Sequence, residues 1–192
     1  MAVFQKYQGS PFLYDHTSGD IVGVKDPDGS EFFFDRAKAH GVFLSTETQT
    51  DGVASATAMT FNNQVLSESV RVEESSKIYV DKTALYNFQL STHVHNSDSQ
   101  AHTFEYWGKL NGVNIPNSLF PYSVPSSHGG QDGQMTPSQN FFLQLNAGDY
   151  VEVYWTTNNV AVSIVYTGPQ SNPDRPAAPA ILLTVNETSS VQ

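Results

Sequence analysis

Hydrophobic and polar residues alternate most regularly over residues 140–157, NFFLQLNAGDYVEVYWTT. Successive side chains of a β-strand point to opposite faces, so this alternation assigns one set of residues to a core. Residues 146–149 between the two runs are typical of a tight turn, with Gly148 supplying a permissive backbone. The pattern predicts two strands joined as an antiparallel hairpin, with these side chains in a core: Phe141, Leu143, Leu145, Val151, Val153 and Trp155.

The opposite face of the same two runs is rich in aromatic residues. Phe142, Tyr150 and Tyr154 lie on it, interleaved with Gln144 and Glu152. Because a solvated sheet face is usually polar, three aromatic side chains predict a covering surface, either a second sheet layer or another subunit. Scattered surface aromatics without a role are the alternative.

Further short alternating runs follow along the chain, and no stretch shows a sustained apolar period of 3.6 residues. Asn111-Gly112 is a strong hairpin-turn signal, whereas the four prolines of residues 168–179 indicate an extended crossing rather than a ladder strand. Strands at this spacing predict an all-β sandwich. The predicted strands cover residues 58–61, 69–72, 77–80, 84–95, 102–110, 119–124, 140–145, 150–157, 160–166 and 180–185.

Residues 1–50 form aromatic clusters separated by turn signals. The runs 21–24 and 31–34 flank a Pro-Asp-Gly turn and predict a small β-hairpin, and residues 35–40 predict one or two helical turns. The segment has too many breaks to enclose a core and too many aromatics for a disordered tail. We expect an extended N-terminal arm that packs on another surface through Phe4, Tyr7, Phe12, Tyr14, Ile21, Val24, Phe32, Phe33 and Phe34.

The alternative for these residues is a hairpin that packs on the main domain of its own chain. Residues 51–57 are small and polar, which is typical of a linker, and residues 58–192 would form the second domain.

Composition and charge exclude several classes of function. The absence of cysteine excludes disulfides and thiolate chemistry. With 9 basic residues against 19 acidic ones, the chain has a net charge of −10 and no basic cluster, so nucleic acid is not an expected partner. An anionic membrane would repel this charge. The chain has neither an apolar run long enough to cross a bilayer nor a secretory signal pattern, which predicts synthesis in the cytosol or export by another route.

Candidate catalytic and metal-binding residues are few. Ser127-His128 lies in a Gly-rich loop without the G-x-S-x-G context of a nucleophile, so we predict no enzymatic activity. His93 and His95 share a strand face and could bind zinc or nickel, but the spacing fixes no third ligand. We predict no metal site and no cofactor, while metal binding by this histidine pair stays open.

The order of the motifs carries a resemblance. Ala84-Leu85-Tyr86-Asn87-Phe88, then Tyr106-Trp107 before Asn111-Gly112, then residues 143–149 resemble the tumour-necrosis-factor-like jelly roll, which the globular head of the complement recognition protein shares. The resemblance covers about residues 58–185 and implies a ten-stranded sandwich that forms a compact homotrimer. The resemblance also implies that six residues lie in the interior of the sandwich, namely Tyr86, Phe88, Leu143, Leu145, Val151 and Val153. The predicted trimer interface is Leu85, Asn87, Gln89, Phe142, Tyr150 and Tyr154.

Residues 19–30, GDIVGVKDPDGS, carry a second resemblance. They resemble glycine- and aspartate-punctuated segments near the start of tailed-bacteriophage virion proteins, in which an attachment segment precedes a trimeric jelly-roll head. Together the two resemblances imply a capsid decoration (cement) protein. It would be made in the host cytoplasm, bind the major capsid protein or another virion protein through its arm, and stabilise the phage head from the capsid surface.

A trimeric tail-fibre or head-fibre protein that recognises a host surface ligand, such as a glycan, is the alternative function. The loop over residues 121–138 is rich in Ser, Gly and Gln and would suit a binding rim, and the aromatic residues could form a sugar platform. A cytokine-like ligand would share the fold, but the arm and the missing secretory signal argue against it.

Overall fold

The computed structural model describes residues 12–14, 21–25, 27, 29–33, 38–50 and 55–190. The chain divides into two compact units, Met1–Ala37 and Lys38–Gln192. Within the described ranges every regular element is a strand and every registered strand pair is antiparallel. The predicted all-β class is therefore confirmed, with sheets consistent with a β-sandwich, and the jelly-roll connectivity stays a prediction.

The first unit contains a small antiparallel sheet of three strands, in the order β1-β2-β3: β1 (Phe12–Tyr14), β2 (Ile21–Lys25) and β3 (Glu31–Phe33). The predicted hairpin is confirmed, because Val24 of β2 lies opposite Phe32 of β3. Gly29 in the turn has φ +97°, and Lys25 Nζ lies 2.9 Å from Glu31 Oε1 across it. The third strand, β1, was not predicted.

Eighteen strands lie in the described residues of the second unit, 38–50 and 55–190. They are β4 (His40–Ser45), β5 (Gln49–Thr50), β6 (Thr57–Ala58), β7 (Asn63–Glu68), β8 (Val70–Glu73), β9 (Lys77–Val80), β10 (Ala84–Thr92), β11 (Val94–Asn96), β12 (His102–Leu110), β13 (Val113–Asn114), β14 (Phe120–Val124), β15 (Gly133–Met135), β16 (Ser138–Leu145), β17 (Tyr150–Thr157), β18 (Val162–Ile164), β19 (Gln170–Ser171), β20 (Asp174–Arg175) and β21 (Ile181–Ser190).

Two larger sheets make up most of this unit. Sheet I has the strand order β16-β10-β21-β4-β7, and sheet II has the order β13-β12-β17-β9-β8, with β14 also paired to β12 and β6 to β17. A four-stranded sheet, β15-β11-β18-β5, contains the strands that follow β10 and β17 in the sequence. The proline-rich stretch forms the short hairpin β19-β20.

The inward side chains of both sheets form one hydrophobic cluster. The predicted interior residues Tyr86, Phe88, Leu145, Val151 and Val153 are buried, whereas Leu143 is partly buried and packs against the cluster. The predictions for the inward faces of β10, β16 and β17 are therefore confirmed. Aromatic rings fill the centre, where the Phe104 and Trp155 rings lie 5.7 Å apart and Phe88 stacks on Phe141 at 5.2 Å.

The predicted hairpin between β16 and β17 is wrong. β16 pairs with β10 in sheet I, where Leu145 lies opposite Ala84, whereas β17 lies in sheet II, where Tyr150 lies opposite Tyr79. The turn over residues 146–149 therefore passes from one sheet to the other, and Asp149 Oδ2 accepts a hydrogen bond from the Asn146 N–H at 2.8 Å within it. Alternation determines which face of a strand is buried but does not identify its neighbour.

The boundary between the two units lies earlier than predicted. β4 is hydrogen-bonded between β21 and β7, with Phe43 opposite Leu183 and Val42 opposite Leu66. Residues 38–50, which were assigned to the arm, thus belong to the second unit. His40 begins β4 where helical turns were expected, and residues 35–37 lie outside the described residues. Of the predicted linker, residues 51–54 also lie outside them, and β6 pairs with β17.

Candidate functional site

The outer face of sheet I carries no charged side chain at thirteen described positions on four adjacent strands. These positions alternate with the buried residues of the same strands, and we call the surface they form the uncharged face. His40 borders it at the end of β4, opposite Asn186, and Glu68 lies opposite His40 on the β7 edge of the sheet. The uncharged face consists of Ser138, Asn140, Phe142, Gln144, Leu85, Asn87, Gln89, Ser91, Leu182, Thr184, Asn186, Val42 and Leu44.

Amide side chains cross the uncharged face in register. Asn87 lies opposite Phe142 on one side and Asn186 on the other. Gln89 lies opposite Asn140 in the next row. Of the apolar members of this face, Phe142 is 56% exposed and Leu182 37% exposed, whereas Leu85, Val42 and Leu44 are partly buried. The surface thus combines exposed apolar groups with uncharged hydrogen-bonding groups.

Several polar groups on the uncharged face have unused hydrogen-bonding capacity. Asn87 Oδ1 is buried, and no described group donates a hydrogen bond to it. The side-chain amides of Asn140, Gln144 and Asn186 likewise make no hydrogen bond to described groups. Because buried polar atoms are normally paired, the Asn87 oxygen indicates a surface whose hydrogen bonding is incomplete in one chain.

The structure does not bring the six predicted trimer-interface residues onto one surface. Leu85, Asn87, Gln89 and Phe142 share the uncharged face. Tyr150 and Tyr154 instead lie on the outer face of sheet II. There the Tyr150 ring packs on Tyr79 at 5.1 Å between centroids, and Lys109 Nζ lies 3.5 Å from the centre of the Tyr154 ring. The two groups were predicted together because β16 and β17 were expected to share a sheet.

Sequence reasoning missed the part of the uncharged face that comes from β21 and β4. Leu182, Thr184 and Asn186 alternate with buried Leu183 and Val185, so their outward direction was readable from the pattern. Their position beside β10 could not be read from the pattern, because the order of strands in a sheet depends on pairings between distant parts of the chain.

Exposed apolar side chains also occur in the first unit, where Phe12 is 41% exposed and Ile21 46% exposed. Val24 is partly buried. Of the other predicted arm residues, Phe4, Tyr7 and Phe34 lie outside the described residues, as do the side chains of Tyr14, Phe32 and Phe33.

The histidines near β11 have separate carboxylate neighbours. His95 Nδ1 lies 3.7 Å from Asp132 Oδ2, and His102 Nε2 lies 2.7 Å from Asp98 Oδ2. The hydrogen bond from His102 lowers the pKa of the Asp98 carboxyl group. Within the described ranges no group of three or more His, Cys, Asp or Glu side chains is arranged to hold a metal ion. The expected absence of a metal site stays a prediction, and metal binding by His93 and His95 stays open.

The predicted rim loop over residues 121–138 is shorter than expected. β14 contains its first residues and β15 contains residues 133–135, which leaves residues 125–132 as the connection. The Ser127 N–H donates to the Asp98 carbonyl oxygen at 2.7 Å, and His128 and Gln131 pair through their backbones.

No described helix has the length and apolar character of a membrane span. The chain matches no protein-family model, and no curated protein matches it significantly.

Proposed function

We propose that this protein is a capsid decoration protein of a tailed bacteriophage that acts as a homotrimer. In this proposal the unit Met1–Ala37 attaches to the major capsid protein, and the second unit associates with its sister copies through the uncharged face. The observation that carries the proposal is the uncharged face itself, with its exposed Phe142 and its unpaired Asn87 oxygen.

Electrostatics favours this face for association between copies. Each chain has a net charge of −10, so most approaches of one copy to another bring like charges together. Contact through the uncharged face avoids that repulsion. Burial of Phe142 and Leu182 would contribute roughly 25 cal/mol for each Å² of apolar surface removed from water. The free amides of Asn140, Gln144 and Asn186 could pair across the interface.

Attachment through the first unit gains from oligomerisation. The exposed side chains of Phe12 and Ile21 offer apolar surface to a partner. A buried aromatic or aliphatic side chain contributes roughly 1.5–3 kcal/mol by area, before the cost of ordering is subtracted. Three such units on one trimer act at high effective concentration, so individually weak contacts can give stable attachment. A protein that binds only the assembled head stabilises that head by mass action.

Sedimentation equilibrium tests the association. The wild-type chain is expected at three times the 21.1 kDa mass of one chain at micromolar concentration. Phe142→Asp places a charge on the uncharged face and should give a single-chain species. Val160→Asp, at a 69% exposed position elsewhere, is the matched control and should sediment like wild type. A wild-type protein that sediments as one chain would remove the trimer from the proposal.

Attachment is tested by removing residues 1–37 and no more, because removal of β4 would open sheet I. The shortened chain should still sediment at three times the mass of one shortened chain. It should fail to cosediment with phage heads assembled without this protein. Cosedimentation of the shortened chain at wild-type levels would contradict the role of the first unit.

Particles that lack the protein separate decoration from the fibre alternative. Fragile heads with normal adsorption to host cells support decoration. Stable heads with lost adsorption support a receptor-binding fibre head instead.

A further inference from the structure

A groove with an aromatic floor lies on the outer face of sheet II. The floor is formed by the cross-strand pair of Glu105 on β12 and Thr156 on β17, together with Trp107 on β12. The wall consists of Asn114, Ile115, Asn117, Ser118 and Leu119, and the groove is open to solvent with a volume of about 400 Å³. This volume lies within the range of small-molecule sites.

Trp107 is the aromatic surface that the groove offers to a ligand. Its indole N–H donates to Asn114 Oδ1 at 3.0 Å, which fixes the plane of the ring. The neighbouring Tyr154 ring, 6.2 Å away, is already covered by Lys109. The indole is partly exposed and lines the groove, so its flat apolar surface is accessible to a ligand.

Hydrogen-bonding groups surround this indole without partners of their own. The Glu105 carboxylate, the Asn117 amide and the Thr156 hydroxyl make no hydrogen bond or ion pair to any described group. The Ser118 hydroxyl, in contrast, is hydrogen-bonded within the wall: it donates to the Ile115 carbonyl oxygen at 2.8 Å and accepts from the Gly108 N–H at 3.1 Å. The groove therefore has a rigid wall and a set of free acceptors and donors.

We infer that this groove binds a neutral saccharide. The C–H face of a pyranose ring can pack on the Trp107 indole, and aromatic side chains contribute most when they bury such apolar area. Sugar hydroxyls can donate to the Glu105 carboxylate and accept from the Asn117 amide, while Thr156 can do either. Acidic sugars should bind more weakly than neutral ones, because the Glu105 carboxylate and the net charge of −10 repel the carboxylate of such a sugar.

The groove lies on the outer side of sheet II and the uncharged face on that of sheet I, and Trp107 of the groove and Phe142 of the uncharged face also line one common cavity. An oligomer would present several copies of a weak site at once, which raises avidity. The inference goes beyond the structural role proposed above and does not depend on it.

The test uses the full chain labelled with 5-fluorotryptophan. The sequence has two tryptophans, Trp107 and Trp155, and the second is fully buried. The probes are neutral oligosaccharides that contain glucose, galactose, mannose or N-acetylglucosamine, together with their sialylated counterparts. We expect the fluorine resonance of Trp107 to shift saturably with at least one neutral saccharide while the resonance of Trp155 stays in place.

Variants locate the site. Glu105→Gln keeps the shape of the groove but loses a charge-assisted acceptor, and affinity should fall at least about tenfold. Trp107→Ala should abolish binding on a printed saccharide panel, whereas Val160→Ser should bind like wild type. The inference is overturned if no neutral saccharide shifts the Trp107 resonance, if sialylated probes bind more tightly, or if Glu105→Gln and Trp107→Ala bind like wild type.

Discussion

Asn87 and Phe142 lie directly opposite each other on β10 and β16, and the Asn87 side-chain oxygen is buried there without a hydrogen-bond donor. An exposed aromatic ring beside an unpaired buried acceptor is unfavourable in an isolated chain. A sister copy that covers Phe142 would relieve the first of these costs.

The first prediction follows from this pair. Asn87→Asp should dissociate the proposed trimer at neutral pH, because it places one negative charge per copy in the proposed interface. Association should return near pH 4, where a carboxyl group with an ordinary pKa of about 3.9 becomes half protonated. Light-scattering mass across this pH range measures the effect. Asn146→Asp, in the turn between β16 and β17, is the control that should associate at both pH values. Full association of Asn87→Asp at neutral pH would contradict the interface.

The two tryptophans allow a comparison of stability. Trp155 is fully buried against Phe104, so Trp155→Ala should lower the free energy of unfolding by about 3–5 kcal/mol. Trp107 is partly exposed on sheet II, and Trp107→Ala should cost much less. Urea unfolding followed by circular dichroism, at one protein concentration, measures both. Equal losses would show that sheet II does not pack as described.

Acid should weaken the turn contacts of Asp149. A hydrogen bond from Asn111 Nδ2 at 2.8 Å, followed by one from the Asn146 N–H, lowers the pKa of the Asp149 carboxyl group. A lowered pKa in the folded state means that the contribution to stability is complete above the unfolded value of about 3.9. It is lost as the pH falls through the lower folded value.

The corresponding measurement compares wild type with Asp149→Asn in urea from neutral pH to about pH 3. The stability difference should be largest at neutral pH and should shrink in acid. Asn111→Ala should reduce the effect of Asp149→Asn, because the two side chains share one hydrogen bond. A difference that does not change with pH would rule out the carboxylate as its source.

Gly133 should be intolerant of any side chain. A Cβ atom there would lie 1.8 Å from the Pro125 carbonyl oxygen, a backbone atom that cannot move aside cheaply. Gly133→Ala should therefore destabilise the protein by about 1–3 kcal/mol or more. At Gly168 the same atom would meet nothing within 4 Å, so Gly168→Ala is the matched control. Thermal unfolding of both variants decides the matter, and a Gly133→Ala protein as stable as wild type would contradict the close approach.

Local patterns in the sequence predicted the long strands β10, β12 and β17 and their buried faces, whereas β4 and β7 were not predicted. Val151, Val153 and Trp155 are buried as their alternation requires. The Asn111-Gly112 turn is confirmed, with φ values of +51° and +82° and a hairpin between β12 and β13. These features depend only on residues close together in the chain.

Features that depend on distant pairings could not be predicted. β4 has the same alternation as the other strands, but only its pairing with β21, for example Phe43 with Leu183, assigns it to the second unit. The saccharide groove has the same origin, because the register of β12 against β17 brings Glu105 next to Thr156. Without that register, nothing in the sequence distinguishes Glu105 from the other acidic residues.

The position of β21 in the centre of sheet I has a consequence for biosynthesis. Residues 181–190 lie between β10 and β4, so neither flanking strand has its full complement of backbone partners until this last described segment has left the ribosome. During translation the unpaired N–H and C=O groups along one edge of β10 and one edge of β4 therefore stay open to the wrong neighbours, including other nascent chains. Chaperone demand and inclusion-body formation during expression should accordingly depend on how quickly β21 inserts.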